Sequence, residues 1–277
     1  MTSRPRLADA SPERAFQVYH NRILAALLPG EFRRLAPHLT DTRLTFKQTL
    51  SKPDRPIDQV CFPDSGVCSM MSTMRNGAAA EVGTIGNEGL TGLALFYGDV
   101  TEPSELMVQV PGAGRIMPAD VFRAELARGE TLYTLVKHYA HVFSVQLMQA
   151  AACNALHCVE ERTCKWLLMT HDRVVGDEFK LTQEFLGLML GVRRASVALV
   201  AHELQNAGMI YYRSGYVTVL DRKGLEQTSC ECYAVVRAHF DKFLERLCPA
   251  SPPNKRVSGS VNDSNRAGIV TRNGSRR

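Results

Sequence analysis

Three polar side chains open one helical segment of the chain and could contact a nucleic acid. Arg193, Arg194 and Ser196 follow directly after the pair Gly191-Val192. A guanidinium group can donate two hydrogen bonds to O6 and N7 of guanine, a contact worth ~1–3 kcal/mol of discrimination. A serine hydroxyl can bond a phosphate or a base edge. These residue types therefore indicate recognition of DNA in the major groove.

The residues around this basic segment have the spacing of a helix-turn-helix. Thr182 can cap a helix that starts at Gln183 and carries an apolar stripe. Gly191 permits a turn with positive φ, and Gly187, four residues earlier, permits close approach of the second helix. Val197, six residues after Gly191, would fill the space between the helices. The pattern predicts two short helices crossing at ~90–120°.

The second helix is expected over 193–206, with Gly208 after its end. Two short β-like stretches follow, 210–212 and 216–220, joined by Arg213-Ser214-Gly215. They predict a small hairpin, a wing, with Arg213 at its tip to meet phosphate. The alternative is a helical hairpin without a DNA role, which leaves the basic helix start and the wing to coincidence.

The cysteines and histidines predict no metal site and no cofactor. None of the eight cysteines forms a Cys-x-x-Cys pair, so reduced structural thiols are the simpler interpretation. A sharper alternative joins Cys153, Cys158, Cys164 and His157, but residues five and six apart fall on different faces of a helix. His138 and His141, one turn apart, could bind haem or a metal or respond to pH, yet such histidines more often lie beside a helix seam.

Charge and motifs exclude several classes of protein. The net charge is +5, and residues 249–277 alone supply it with six Lys or Arg and one acid. Bulk charge of the folded part therefore does not support DNA binding, and the motifs must carry that hypothesis. No P-loop, nucleophile elbow or dinucleotide fingerprint is present, so no enzyme is predicted. The absence of a ~20-residue apolar run and of a secretory signal indicates a cytoplasmic protein without membrane contact.

The surrounding elements divide into a β-rich part, a long helix and a helical part. Short strands with intervening turns are predicted at 43–50, 59–62, 67–74, 79–85, 105–110 and 114–117. Such strands imply an antiparallel barrel or sandwich. Asn76-Gly77 is typical of a type I′ hairpin turn. Further helices are expected at 159–171 and, capped by Asp221, at 222–247.

A run without helix breakers predicts one helix over 131–156. Its apolar residues recur at helical spacing from Leu132 to Cys153. A helix of ~39 Å with a continuous stripe favours pairing with a second copy of the chain. A helix buried within one domain is the alternative.

Taken together, these segments resemble the Crp/Fnr family of bacterial transcription regulators over about residues 21–225. The helix-turn-helix segment LTQEFLGLMLGVRRASV and the hinge segment CNALHCVEERTCKWLL carry the resemblance. It implies an α+β protein with an N-terminal antiparallel β-roll like a cyclic-nucleotide-binding domain, a long dimerisation helix and a C-terminal winged helix-turn-helix. The implied boundaries are a flexible segment at 1–20, a sensor at 21–130, the dimerisation helix at 131–157, the DNA-binding domain at 158–248 and a disordered basic tail at 249–277.

The resemblance also assigns partners and site residues. It implies a homodimer on double-stranded DNA with a two-fold symmetric operator, with RNA polymerase and a small-molecule effector as further partners. Thr182 and Glu184 match residues on the phosphate side, and Arg194 matches the residue that reads guanine. Gln183, between the first two, is assigned to DNA binding as well. Ala195 stands where the best-known members carry Glu, so a different operator is expected.

The implied effector site departs from the family pattern. The matching residues are Gly86, Glu88, Gly89, Leu90 and Ser104. The phosphate-binding arginine of the family is missing, and Glu102 and Glu105 flank Ser104, which disfavours an anionic cyclic nucleotide. The family's N-terminal iron–sulfur cysteines are also missing, since the first cysteine is Cys61. The prediction is therefore a DNA-binding regulator with an unidentified signal. The alternative is a small-molecule-binding regulatory module without a DNA role.

Overall fold

A computed structural model describes residues 20–247 of the chain. The predicted flexible segment, apart from His20, and the predicted basic tail lie outside the described residues. Numbered in chain order, the helices are α1 (Arg22–Ala25), α2 (Pro29–Leu35), α3 (Ala119–Leu126), α4 (Thr131–Leu156), α5 (Val159–His171), α6 (Gln183–Leu190), α7 (Arg194–Asn206), α8 (Arg222–Thr228) and α9 (Cys232–Leu247). Single 3₁₀ turns span Ala36–His38 and Leu93–Leu95.

The strands form three antiparallel sheets. Their bounds are β1 (Thr40–Leu44), β2 (Thr49–Ser51), β3 (Gln59–Pro63), β4 (Val67–Thr73), β5 (Ala79–Ile85), β6 (Glu105–Val110), β7 (Gly112–Pro118), β8 (Glu178–Lys180), β9 (Ile210–Arg213) and β10 (Tyr216–Val219). The strand orders are β1-β7-β3, β2-β6-β4-β5 and β8-β10-β9. The first two sheets make up the N-terminal β-roll, and the third belongs to the winged domain.

The β-roll has a filled apolar interior. Phe62, Leu106, Val108 and Met117 are at most 1% exposed. Burial of such side chains, worth about 1.5–3 kcal/mol each, holds the two sheets together. The predicted strand over 43–50 is in fact split into β1 and β2 by a turn in which Lys47 has a positive φ of 63°.

The two predicted hairpin turns differ from each other. Between β4 and β5 only Gly77 has a positive φ, so this loop is not the type I′ turn that Asn76-Gly77 predicted. In the wing, Ser214 and Gly215 have φ values of 52° and 79°. That two-residue connection has the positive φ angles that a type I′ turn requires.

The long helix α4 is the predicted helix, but its apolar stripe is covered by its own chain. Tyr139 and Phe143 are at most 3% exposed. The Tyr139 ring lies 6.0 Å from Phe243 of α9, and a Cβ at Gly83 of β5 would be 2.9 Å from the Phe143 ring. The prediction that this stripe pairs with a second copy is wrong for these residues, because β5 and α9 occupy that face.

The predicted final helix is two helices. Ser229 ends α8 in extended conformation, with φ −70° and ψ 152°, and α9 starts at Cys232. The break lets α9 fold back onto α4, which the uninterrupted pattern of 222–247 did not reveal. Arg222 fixes this arrangement, donating to the Asp172 carboxylate at 2.6 Å and to the Tyr233 hydroxyl at 2.5 Å.

The helix-turn-helix region packs directly on the β-roll. The ring centroids of Phe46 and Phe185 lie 5.2 Å apart, and a Cβ at Gly191 would be 3.2 Å from the Ala80 side chain. Among residues 20–247, no single helix is long and apolar enough to cross a membrane; α6 and α7 pass that test only as a pair, with a bend of 111° between them.

Candidate nucleic-acid interface

The turn between α6 and α7 is built around two glycines. Gly191 caps α6 with φ 65° and ψ 32°, a left-handed conformation that glycine adopts without steric cost. A Cβ at Gly187 would be 3.0 Å from the Val192 carbonyl oxygen, so the bare backbone allows the helices to approach. Val197 is fully buried between them. With the 111° bend, this geometry confirms the predicted helix-turn-helix.

The start of α6 presents the predicted phosphate-side residues. Thr182 is the N-cap, and its hydroxyl oxygen accepts a hydrogen bond from the Phe185 amide at 3.1 Å. The hydroxyl proton of Thr182 remains available for an outside acceptor. Glu184 is exposed, whereas Gln183 is half-buried. The unpaired amides of this first turn add a partial positive charge beside them.

The start of α7 carries two exposed guanidinium groups. Arg193 is the N-cap, with φ −69° and ψ 143°, and Arg194 is the first helical residue. Both side chains are exposed, and within residues 20–247 neither has an ion-pair partner. Ser196 is half-buried, and its amide donates to the Arg193 carbonyl at 3.0 Å. An unpaired guanidinium at a helix start is available to an anion or to a base edge.

The exposed face of α7 continues beyond the basic start and includes residues that the sequence analysis missed. Leu199 is 60% exposed although it lies on a helix of the domain core. His202 is also exposed and hydrogen-bonds the Asn206 amide at 3.0 Å. Together with Ala195 these residues follow i, i+4, i+7 and i+11 spacing. That spacing could have identified them, and Leu199 could contact a thymine methyl group.

The wing is fixed to the helix-turn-helix through Tyr212. Its hydroxyl donates to the Leu181 carbonyl at 2.6 Å, and its amide donates to the Gln205 side chain at 2.9 Å. Burial raises the pKa of Tyr212, so the phenol stays protonated as a donor. Arg213 is exposed at the end of β9, beside the turn. The wing therefore holds Arg213 in a defined position relative to Thr182.

The predicted effector stretch is filled by side chains of the same chain. Glu88 and Arg173 form a buried ion pair at 2.9 Å, with side-chain exposures of 7% and 8%. A Cβ at Gly89 would lie 2.2 Å from the Tyr139 ring, and a Cβ at Gly86 would meet Arg173 at 2.8 Å. Packing between the β-roll, α4 and the segment after α5 therefore fills the space beside these residues.

The other predicted effector residues do not open a site either. Leu90 is fully buried, and Ser104 is half-buried directly before β6. Burial raises the pKa of the nearby Glu102, whose carboxylate accepts from the Ala94 amide at 3.3 Å. A cavity lined by Leu50, Cys61, Leu106 and other roll residues has a volume of about 10 Å³. That space holds one water molecule, not a nucleotide.

The cysteine set considered from sequence does not converge. Cys158 is exposed, while Cys164 is buried in the core, where burial raises the pKa of its thiol to about 12. Cys61 has the same shift from burial, to about 12. These thiols are therefore poor nucleophiles and poor ligands. His138 is half-buried and His141 exposed on α4, and burial lowers the pKa of His138.

Comparisons with known proteins place this geometry among similar domains. Residues 161–228 match the family model of the Crp-like helix-turn-helix domain. No match was found among curated proteins. A protein described as a transcriptional regulator of the Crp/Fnr family from Eubacterium rectale has a similar structure, with 14% identity, a TM-score of 0.59, and coverage of 73% of this chain and 94% of that one.

Two further solved structures have the same layout. FixK2 from Bradyrhizobium japonicum is 14% identical with a TM-score of 0.56, covering 69% of this chain and 98% of that one. The c-di-GMP responsive global regulator CLP of Xanthomonas campestris is 18% identical, with the same TM-score and coverage. At these identities the likeness establishes the fold. The chain therefore contains a Crp-like helix-turn-helix domain at residues 161–228 and shares the fold of these solved structures.

Proposed function

We propose that the chain binds double-stranded DNA as a homodimer and reads a two-fold symmetric operator through α7, under control of a signal received by the β-roll. The observation that carries this proposal is the pair of exposed, unpaired arginines at the start of α7. An exposed guanidinium group is solvated by water and needs no carboxylate partner, so its donors remain free for guanine. If DNA is the partner, we infer that the protein acts in the cytoplasm.

The proposed DNA-facing surface is built from three elements: the start of α6, the helix α7 and the wing. Thr182 offers its hydroxyl proton and Arg213 its guanidinium to phosphates on either side of α7, while Arg194 and Ser196 face the groove. Phosphate contacts would set the register, and α7 would supply the sequence preference. Leu199 and His202 extend the reading surface along the helix. Because Ala195 carries no acceptor, the operator position opposite it should show no preference for cytosine.

A second, exposed stripe on α4 supports the dimer. Thr134, His138, His141, Val145, Met148, Ala152 and Ala155 alternate at spacings of four and three residues. This is the spacing of the seam positions of a coiled coil, with apolar residues from Val145 onward, and it is distinct from the buried stripe under β5 and α9. Met148 is 63% exposed, and the two alanines are exposed as well. Small side chains at the end of the stripe would let the two helices approach closely.

The signal has a route through the junction of the two domains. Glu88 belongs to the β-roll, and Arg173 follows α5 of the helix-turn-helix domain. A cavity of about 210 Å³ lies beside this pair and is lined also by Tyr233 and Arg237. An effector that separates Arg173 from Glu88 would free the DNA-binding domain to rotate. The populations of the two orientations would then depend on the effector.

Selection of bound sequences from random DNA tests the main proposal. We expect a two-fold symmetric consensus with half-sites about one helical turn apart, ~34 Å. Arg194→Ala should lose the preference for guanine at one position in each half-site. Arg33→Ala is the matched control and should leave the consensus unchanged, since Arg33 of α2 is exposed and has no ion-pair partner among residues 20–247. A consensus unaffected by Arg194→Ala would contradict the assignment of α7, and absence of any enriched sequence would favour a regulatory module without a DNA role.

The dimer is tested separately by light scattering coupled to size exclusion. Met148→Glu places a charge in the exposed stripe of α4 and should shift the protein to monomer, because two carboxylates would face each other across the seam. Asn154→Glu adds the same charge to the same helix outside the stripe and should leave the dimer intact. Monomeric wild-type protein at micromolar concentration would refute the homodimer.

A further inference from the structure

Three buried cysteines and a histidine meet where α4 ends. Cys153 lies in the last turn of α4, and His157 is the residue that caps it. Cys230 lies in the break between α8 and α9, and Cys232 is the first residue of α9. The ligand atoms of all four residues lie within 4.8 Å of one another. The sequence could not show this, because 77 positions separate Cys153 from Cys230.

The three thiols are not part of the main hydrophobic core. Cys153, Cys230 and Cys232 form a buried cluster of their own, with exposures of 0%, 4% and 0%. Buried cysteines usually serve as small apolar side chains packed among others. Here they contact one another instead, which gives little packing and concentrates three sulfur ligands at one point.

The spacing of the atoms fits one tetrahedral ion. With Zn–S bonds of ~2.3 Å and Zn–N bonds of ~2.0 Å, tetrahedral geometry places ligand atoms ~3.5–3.8 Å apart. The Sγ atoms of Cys153 and Cys230 are 3.6 Å apart, and Sγ of Cys232 is 3.4 Å from Nδ1 of His157. The remaining pairs, within 4.8 Å, need only small rotamer adjustments. An iron–sulfur cluster would need wider spacing, since it sits between ligands on opposite edges.

Neighbouring side chains supply an outer layer of the kind that metal sites have. The second ring nitrogen of His157, Nε2, lies 3.2 Å from the Glu231 carboxylate, which leaves Nδ1 directed at the cysteines. The Gln149 amide donates to Sγ of Cys232 at 3.1 Å. A carboxylate on the far nitrogen of a ligating histidine fixes its tautomer, and a donor to a thiolate offsets its charge.

We propose that Cys153, His157, Cys230 and Cys232 bind one Zn²⁺ ion in a closed Cys₃His structural site. Three sulfurs and one imidazole nitrogen are a set that zinc prefers, and a full set of four protein ligands leaves no open position for catalysis. Each thiol binds as thiolate and releases its proton to solvent, so affinity falls as pH is lowered. The ion joins the end of α4, in the predicted hinge segment, to the link between α8 and α9 and the start of α9.

Metal analysis of the full chain, purified under reducing conditions, tests the site directly. We expect about one zinc ion per chain. After removal of zinc, titration with Co²⁺ should give the thiolate charge-transfer bands and the ligand-field bands of a tetrahedral site. Zinc should also raise the thermal midpoint of the metal-free protein, because the ion binds only the folded chain.

Two variants and a matched control locate the ion. Cys232→Ser and His157→Ala should lose the cobalt bands or weaken zinc affinity at least tenfold. Cys158→Ser, next to His157 but exposed and outside the cluster, should bind as the wild type does. If a variant does not fold, release of zinc from wild-type protein by a thiol-specific mercurial still shows whether thiolates hold the ion, and retention of the zinc would contradict the site.

Several outcomes would overturn the site. Fully reduced wild-type protein that binds neither zinc nor cobalt would exclude it. Equal metal binding by wild type and both cluster variants would place the ion elsewhere. A disulfide between Cys153 and Cys230 in protein prepared without oxygen would assign the cluster to redox chemistry. None of these readouts involves DNA, so the site and the proposed function can fail independently.

Discussion

Arginines occupy opposite settings in two regions of the molecule. At the start of α7, Arg193 and Arg194 are exposed and unpaired, whereas at the domain junction Arg173 is 8% exposed and paired with Glu88. The guanidinium of Arg173 also lies over the Phe240 ring at 5.4 Å. A buried guanidinium must be paired to offset its desolvation, but an exposed one need not be. The difference separates an arginine that holds domains together from arginines available to a ligand.

Arg173→Ala tests most directly whether the buried arginine, unlike the exposed pair, stabilises the fold. The substitution leaves the Glu88 carboxylate buried without its partner, and the free energy of unfolding should fall by about 3–5 kcal/mol. Urea denaturation measures the loss. The double variant Glu88→Gln with Arg173→Met removes both charges and should recover most of it. If the single variant is as stable as wild type, Glu88 must reach water, and the junction is not closed.

Arg194→Ala should have the opposite effect to Arg173→Ala: it should weaken DNA binding and leave the stability of the fold unchanged. We expect the binding free energy for the selected operator to weaken by about 1–3 kcal/mol. Affinity for random DNA should change little, by no more than the loss of one charge contact to a phosphate. Arg194→Lys keeps the charge but not the two-pronged donor, so it should retain non-specific binding and lose specificity. Titrations at several salt concentrations measure both terms. Unfolding should be unchanged within about 0.5 kcal/mol for either variant.

A second junction carboxylate, Glu81, tests the role of pairing by pH. It accepts a hydrogen bond from Ser69 at 2.6 Å, and burial raises its pKa to about 7. The folded state therefore holds a proton that the unfolded chain has already lost, and stability decreases as pH rises from about 4.5 to about 7.

Glu81→Gln should remove that decrease. At pH 8 the variant should be more stable than wild type by about 1–2 kcal/mol, a value reduced for the partial exposure of the side chain. At pH 4 the two proteins should be alike. Denaturant midpoints across this range provide the measurement, and a variant less stable at pH 8 would show that the charged carboxylate is stabilised by the nearby Lys165.

Thr182 gives the smallest and most selective effect. Thr182→Ala removes the N-cap of α6 and should cost about 1 kcal/mol of stability. Thr182→Asp retains a capping oxygen, so stability should stay near wild type, yet its charge would repel a phosphate and DNA affinity should fall. Comparing the two by thermal unfolding and operator titration separates the cap from the contact. Equal DNA binding by wild type and Thr182→Asp would remove this residue from the interface.

Local patterns predicted the elements well where one segment determines its own structure. The bounds of α4 and α5 agree with the predicted 131–156 and 159–171, and Gly187, Gly191 and Val197 lie as their spacing required. These features depend on helix periodicity and on backbone conformations that only glycine favours.

Features that depend on distant segments were not predictable in this way. The apolar stripe of α4 gave no sign that β5 and α9 cover it, since periodicity reports burial but not the partner. The sequence around Ser229 has no strong signal for or against a helix break. The break nevertheless brings Cys230 next to Cys153. Likewise, nothing near Glu88 in sequence indicates Arg173. In each case the missing information is tertiary packing.

Two separate constraints require glycine at position 191. A side chain there would be strained by the positive φ of 65°, and it would also press on Ala80 across the domain boundary, at 3.2 Å from its Cβ. The lack of a side chain at Gly191 thus permits the turn between α6 and α7 and also lets this turn pack against β5 of the β-roll. If the helix-turn-helix region moved away from the β-roll, the small apolar surface at Ala79 and Ala80 would become exposed to water. The free-energy cost of exposing it would favour the packed arrangement.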